Sequence, residues 1–193
     1  MDHPISLIAG LGNPGRQYQY TRHNAGALFL DLVCESGRCE LKPDKKFQGL
    51  AGVVNIDGRD IRLLLPTTYM NNSGRAISAL ASYYKIPAAE VLIAYDELDL
   101  PMGTTRLKYG GGAAGHNGVK DVISALGTND FYRLRFGIAN PQASKRGMDY
   151  VLDDFSRSDM DLMKREFDKA LAILPLLVQG KPEFAMQQLH SKD

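Results

Sequence analysis

Near neutral pH, protons move to and from water most readily through histidine, whose unperturbed pKa is about 6.5. The chain has four histidines. His3 and His190 lie near the termini, where order is commonly poor, so His23 and His116 are the candidates for chemistry. Asp96 is the natural partner for one of them. A carboxylate accepting from one ring nitrogen fixes the tautomer and stabilises the imidazolium, and the other nitrogen is left to take a proton from water. No activated serine or cysteine nucleophile competes. Ser73 lies in Asn72-Ser73-Gly74 and lacks the first glycine of Gly-x-Ser-x-Gly, and the chain has neither His-Glu-x-x-His nor Cys/His metal spacing. What remains is a histidine-activated water, with asparagine amides or backbone N–H groups to hold an oxyanion.

The fold must bring these residues together. Residues 5–9 read as a buried first strand running into Gly10-Leu-Gly-Asn-Pro-Gly15, and a helix follows over about 24–36. Residues 49–56 and 61–65 read as a hairpin around Asp57-Gly58, a dipeptide that suits tight hairpin turns. A helix capped by Ser73 runs to about Lys85, before Pro87. Strands are expected at 91–95, 104–109 and 132–139, and a helix over about 119–126. A long helix over 158–179 places Met163, Phe167, Leu171 and Leu174 in the core, with Pro175 as a candidate kink. Pro182 opens a short last helix. The acidic stretch 149–161 reads as a solvated cover segment, with a lid over the cleft as the alternative.

Apolar strand-length runs alternating with helical patterns predict an α/β fold. We expect a single-domain three-layer sandwich over residues 1–193, its mixed, largely parallel twisted sheet flanked by helices. In open sheets of this kind ligands bind beyond the carboxyl ends of the strands. Asn13, Asn71 and Asp96 each follow a strand, and the loop after residues 104–109 carries His116 and Asn117. Parallel strands would gather these distant segments at one edge, into a site rich in asparagine.

Composition sets the outer bounds. The 193 residues are 44% hydrophobic and 23% charged, ordinary values for a soluble globular protein. A net charge of +1 gives no sign of a nucleic-acid partner, so any phosphate-binding surface must be a local cluster. Cys34 and Cys39 lack redox or zinc spacing and are expected as free thiols, with a single bridge between them as the alternative. The apolar run at 5–9 is too short for a signal-peptide core or a membrane span. Gly10-x-Gly12-x-x-Gly15 matches the dinucleotide fingerprint by letter. Its context does not fit, because Pro14 precedes the third glycine and no acidic residue closes a second strand about 20 residues on.

At this point five blocks, in order along nearly the whole chain, resemble the bacterial-type peptidyl-tRNA hydrolases. The first is Gly10-Leu-Gly-Asn-Pro-Gly15 with Tyr18 and Thr21-Arg-His-Asn-Ala-Gly26, and the second is Pro66-Thr-Thr-Tyr-Met-Asn-Asn-Ser-Gly74. Asp96-Glu-Leu-Asp-Leu-Pro101, Gly115-His-Asn-Gly-Val-Lys120 and Arg133-Leu-Arg-Phe-Gly-Ile138 complete the set. Two departures are Ala113-Ala114, where the family often carries a histidine and a glycine, and Ala139-Asn140-Pro141, where it often carries a glycine and a basic residue or histidine before the proline; both lie near the expected tRNA side.

The resemblance implies hydrolysis of the ester between a peptide and its tRNA, which recycles tRNA lost from ribosomes. It implies His23 as general base, Asp96 as its orienting partner, and Asn13 and Asn71 beside the ester. Asn117 would hold the peptide backbone, with Tyr18, Tyr69, Met70 and His116 around the substrate. Lys108 and Arg135 would hold the 5′ phosphate beside the acceptor stem, with Arg106, Lys120, Arg133, Lys145 and Arg146 as candidates to extend a basic patch. No metal or organic cofactor is implied, and no membrane. The family acts as a cytoplasmic monomer in transient proximity to ribosomes.

Blander readings stand beside these. His23 could be a satisfied loop histidine and His116 a turn residue. Asp96 could cap a turn at 98–102, Asn71 and Asn117 could cap helices, and Lys108 and Arg135 could simply face solvent. At the level of the whole protein, the rivals are a non-catalytic RNA-binding relative and an amidase for small N-blocked peptides.

Overall fold

The structure, a computed structural model, describes residues 3–191. Its centre is a seven-stranded mixed sheet in the order β2-β3-β4-β1-β5-β7-β6. The strands are β1 (Leu7–Gly10), β2 (Lys42–Asp44), β3 (Gly49–Ile56), β4 (Arg59–Pro66), β5 (Val91–Pro101), β6 (Thr105–Tyr109) and β7 (Tyr132–Ala139). β4, β1, β5 and β7 run parallel, while β2, β3 and β6 pair antiparallel with their neighbours. The described residues also form α1 (Ala25–Ser36), α2 (Ser73–Tyr83), α3 (Asn117–Leu126), α4 (Gly147–Val151), α5 (Arg157–Val178) and α6 (Pro182–His190).

Period-two alternation divides the central strands between two cores. Ile8, Leu63, Leu92, Ala94, Leu134 and Phe136 face α1 and α5, where Phe29, Val33, Phe167 and Leu174 meet them. Leu7, Ala9, Leu64, Val91 and Ile93 face α2 and α3, meeting Ile77, Leu80, Val119 and Val122. Burial on both faces explains why these strands read as continuous apolar runs, and each buried side chain of this size stabilises the fold by about 1.5–3 kcal/mol. The result is the expected three-layer α/β sandwich.

Two glycines let the layers meet closely. A Cβ on Gly26 would overlap the carbonyl oxygen of Ala94, and one on Gly10 would overlap that of Gly26. The start of α1 therefore lies directly on β1 and β5, which sets the residues before α1 against the end of β5. The hairpin turn is also as expected, with Asp57 (φ 52) and Gly58 (φ 81) both left-handed.

Several expectations change. Ser73 is the first residue of α2, not its cap, and its Oγ donates to the Met70 carbonyl. α3 begins at Asn117 and is capped by His116, so neither Asn117 nor Asn71 caps a helix with its side chain. β5 runs on to Pro101 and pairs with β7 across a register shift after Glu97, so Asp96 lies within a strand and caps no turn. α5 continues through Pro175. Leu171 is only partly buried against the core.

The cysteines are a disulfide, not free thiols. After α1 ends, Arg38 (φ 53) turns the chain and the Cys39 N–H donates to the Cys34 carbonyl, which brings the Cα atoms to 5.0 Å. His190 is also well placed despite its position near the end. Its Nε2 accepts the Leu107 N–H at 3.0 Å, covering part of the open edge of β6. No described helix is long and apolar enough to cross a membrane.

Candidate active site

The C-terminal ends of β1, β4 and β5 meet at one edge of the sheet. His23 reaches it from a 3₁₀ turn, Arg22–Asn24, that leads into α1. Asp96 comes from β5, and His116 comes from the opposite helical layer as the N-cap of α3. All three are buried, at 4%, 2% and 8% exposure.

His23 Nδ1 lies 2.8 and 3.0 Å from the two carboxylate oxygens of Asp96. The carboxylate can only accept, so Nδ1 carries the proton and Nε2 holds the lone pair. That Nε2 is buried and has no partner within the protein. It belongs to a residue lining a cavity of about 220 Å³, together with Glu97, Leu98, His116, Asn117 and Met148. Burial alone would lower the His23 pKa. The charge of Asp96 and its hydrogen bond outweigh that effect, and the ring ends above the ordinary histidine value. Burial would likewise raise Asp96, but His116 and His23 together hold its carboxyl well below the usual carboxylate range.

His116 Nε2 lies 2.8 Å from Asp96 Oδ1, while its Nδ1 accepts the backbone N–H groups of Gly118 (3.1 Å) and Val119 (3.3 Å). The ligand-capable atoms of His23, Asp96 and His116 lie within 4.8 Å of one another, close enough to suggest a cation site. The hydrogen bonds argue otherwise. A metal on His116 Nε2 would force the ring proton onto Nδ1, against two amide donors. The trio forms a hydrogen-bonded network in which His23 Nε2 is the ring nitrogen left without a partner.

Asn13 sits just beyond β1. Its Oδ1 accepts the Met70 N–H at 2.8 Å, which fixes the orientation of the carboxamide and leaves its NH₂ able to donate to a ligand. Asn24, next to His23 in sequence, bonds both the N–H and the carbonyl of Asn13. Asn13 and Asn24 line a cavity of about 340 Å³, separate from the one that His23 lines. Asn71 is exposed in the 3₁₀ turn Met70–Asn72, beside buried Met70 and exposed Tyr69. Asn117 is exposed at the mouth of the first cavity. Tyr18 is half-buried in the 3₁₀ turn Arg16–Tyr18, and its carbonyl accepts from the Thr21 hydroxyl.

Lys108 on β6 and Arg135 on β7 stand on adjacent strands, with Arg106 directly opposite Arg135. Burial and the nearby Arg135 and Arg133 lower the Lys108 pKa, a sign of concentrated positive charge. Arg135 also lies 3.5 Å from Glu97. The wider basic patch contracts. Arg133 is fully buried, donating to the carbonyls of Gly111, Gly112 and Asn129 and lying 4.4 Å from the centre of the Phe131 ring. Lys145 pairs with Asp153, and Arg146 bonds carbonyls of its own loop.

Sequence reasoning missed Asn24, although it stands beside His23 in the first block. It also missed α4, whose Gly147, Met148 and Val151 form one wall of the cavity. Arg22 fastens that wall, donating to the Tyr150 carbonyl and lying 4.1 Å from the centre of its ring.

A buried histidine–aspartate pair opening onto a cleft, at the edge of an α/β sheet, is an arrangement able to take a proton from water, and the family profile and relatives below place the chain among the hydrolases. The particular family follows from comparison. The profile of the peptidyl-tRNA hydrolase family matches residues 7–193, and the chain belongs to that family. A peptidyl-tRNA hydrolase of Azotobacter vinelandii is 50% identical over 189 residues, spanning 97% of each chain. One of Pseudomonas syringae pv. syringae is 48% identical over the same shares. The crystal structure of the peptidyl-tRNA hydrolase from Acinetobacter baumannii superposes with a TM-score of 0.93 at 44% identity, covering 98% of this chain and 96% of that one.

Proposed function

We propose that the protein hydrolyses the ester between a peptide, or an N-blocked aminoacyl group, and tRNA, with His23 activating the attacking water. The observation that carries this reading is the His23 ring: Nδ1 donates to a buried carboxylate while Nε2 is buried and unpartnered. Water at Nε2 gives up a proton as its oxygen attacks the ester carbonyl. Asp96 stabilises the imidazolium that forms. The NH₂ of Asn13, oriented by the Met70 N–H, meets the carbonyl oxygen as it gains charge. Collapse of the intermediate releases the terminal ribose hydroxyl, which recovers the proton from His23.

Asn71 positions the substrate beside the ester and Asn117 grips the peptide backbone, so the identity of the peptide side chains matters little. Tyr18, Tyr69 and Met70 shape the surrounding surface. Lys108 and Arg135 hold the 5′ phosphate beside the acceptor stem. The chain acts as a monomeric single domain in the cytoplasm, near ribosomes, where it returns tRNA to use.

The test is peptide release from N-acetyl-aminoacyl-tRNA by the purified protein in the presence of chelator, beside His23→Ala. General-base catalysis is worth about 10²–10⁴-fold, so the variant should lose at least that much while still binding tRNA. Release unaffected by the substitution would remove His23 from the role.

A further inference from the structure

Two histidines share the one carboxylate of Asp96, and they do so as opposite tautomers. His116 Nδ1 accepts two backbone N–H groups in the first turn of α3, so it carries no proton and Nε2 does. Nε2–H then donates to Asp96 Oδ1 at 2.8 Å. His23 Nδ1–H approaches the same Oδ1 at 3.0 Å and Oδ2 at 2.8 Å. The His116 ring has little freedom to change this arrangement. It stands T-shaped on Tyr95 at 5.0 Å between centroids and tilted on His23 at 4.9 Å. Gly118, in the first turn of α3, is so close that a Cβ there would lie 3.1 Å from His116 Cε1.

The other charged groups around His23 are engaged elsewhere. Glu97 lines the same cavity but faces Arg135, and Arg22 on the same turn is held by Tyr150. Asp96 from β5 and His116 from the α3 layer are therefore the ionisable groups set against the ring. A carboxylate oxygen that already accepts one strong hydrogen bond attracts the imidazolium of His23 less strongly.

We infer that His116 is a positioning residue acting through Asp96: fixed by the N-terminus of α3 as the Nε2–H tautomer, it occupies one carboxylate oxygen and so sets the basicity of His23. This rests on His23 being the general base. The same backbone contacts that cap α3 thus hold the donor that moderates Asp96.

Three variants separate the cap from the donor. An asparagine side chain places its polar atoms near Nδ1 of the histidine it replaces, and a glutamine near Nε2. His116→Asn keeps the cap and loses the donor, His116→Gln keeps the donor and weakens the cap, and His116→Ala loses both. The pH profile of kcat/KM on N-acetyl-aminoacyl-tRNA is measured for each beside a thermal melt. The acid limb should move upward by about half a unit or more in the Asn and Ala variants and stay in place in the Gln variant. Melting temperature should fall in the Gln and Ala variants and hold in the Asn variant.

An acid limb that stays in place in every variant, with rates following the melting temperature, would reduce His116 to a helix cap and overturn the inference. ¹⁵N NMR of the histidine rings in the unmodified full chain provides a check independent of catalysis and of variant folding. The expected result is Nε2–H at His116 and Nδ1–H at His23, and Nδ1–H at His116 would also overturn it. If His23→Ala instead retains full activity, the general-base reading fails, a result that the tautomers read by NMR would not produce.

Discussion

Asn24 holds both backbone polar groups of Asn13: its Oδ1 accepts the Asn13 N–H at 2.8 Å, and its Nδ2 donates to the Asn13 carbonyl at 2.9 Å. Because Asn24 directly follows His23, one turn of chain sets both the proposed base and the proposed oxyanion donor. Asn24→Asp keeps the acceptor but puts a carboxylate oxygen against the Asn13 carbonyl. Stability should fall by about 1–3 kcal/mol, and kcat by about tenfold to a hundredfold through misplacement of Asn13. Denaturant unfolding and steady-state kinetics check the two effects. An unchanged kcat would show that Asn13 does not need this grip.

The sign of the pH dependence follows from the competition at His23. A general base must be unprotonated, so activity rises as pH passes the His23 pKa. That pKa lies above the ordinary value of about 6.5 because Asp96 outweighs burial. In Asp96→Asn burial is left unopposed, so the acid limb should fall below about 6.5 while the maximal rate drops by about 10²–10⁴-fold. Stability follows the opposite direction for the histidine. The contribution of His23 is complete below about pH 6.5 and is lost as pH rises through its raised folded value. That of Asp96 is present above about pH 3.9 and is lost as pH falls through its lowered one. Melts of the wild type and Asp96→Asn should therefore differ most between about pH 4 and 6.5. An acid limb that Asp96→Asn leaves in place would contradict the pairing.

What could be read from sequence was what the local pattern carries. The apolar run of β1, the Asp57-Gly58 hairpin and the spacing of Met163, Phe167 and Leu174 each reflect a burial demand repeated along a few residues. His23, Asp96 and His116 were legible as residue types, and the parallel sheet was reason enough to expect them at one edge. The elements that were missed depend on distant partners. β2 consists of Lys42, Pro43 and Asp44, which carry no strand pattern and are strand only because Gly49–Ala51 lie opposite. The far part of β5 alternates charged and apolar residues and is held by β7. α4 is too short to show a helical repeat, and His190 is ordered by a backbone N–H from β6. The tautomer of His116 is a matter of two backbone amides, which a sequence does not display.

Gly26→Ala tests how closely the helix must approach the sheet. The added methyl group overlaps the Ala94 carbonyl oxygen, which is backbone and cannot rotate away. α1 must lift from β5 and carry the preceding turn with it, lengthening the His23–Asp96 contact. Overpacking of this kind costs about 1–3 kcal/mol, and kcat should fall more than KM rises because the damage is to the pair and not to the tRNA surface. Thermal melts with steady-state kinetics decide it. A variant with wild-type stability and kcat would mean that the strand edge can yield.

Lys108 and Arg133 face each other across β6 and β7, yet they should respond differently to salt. Each phosphate neutralised by a cation releases counterions, so losing one contact lowers the slope of log affinity against log salt by about one. Lys108→Ala should show that change in tRNA binding while leaving the fold intact. Arg133 is fully buried and its guanidinium serves three carbonyls, so it has no phosphate to release. Arg133→Lys leaves carbonyls of that loop unsatisfied and should cost about 1–3 kcal/mol, with the salt slope unchanged. The loop it anchors leads to His116 and Asn117, so KM for N-acetyl-aminoacyl-tRNA should rise as well. Filter binding across a salt series, beside unfolding curves, separates the two residues. An equal loss of salt slope in both variants would mean that Arg133 leaves the interior to meet RNA, and a Lys108→Ala slope equal to wild type would place the phosphate elsewhere.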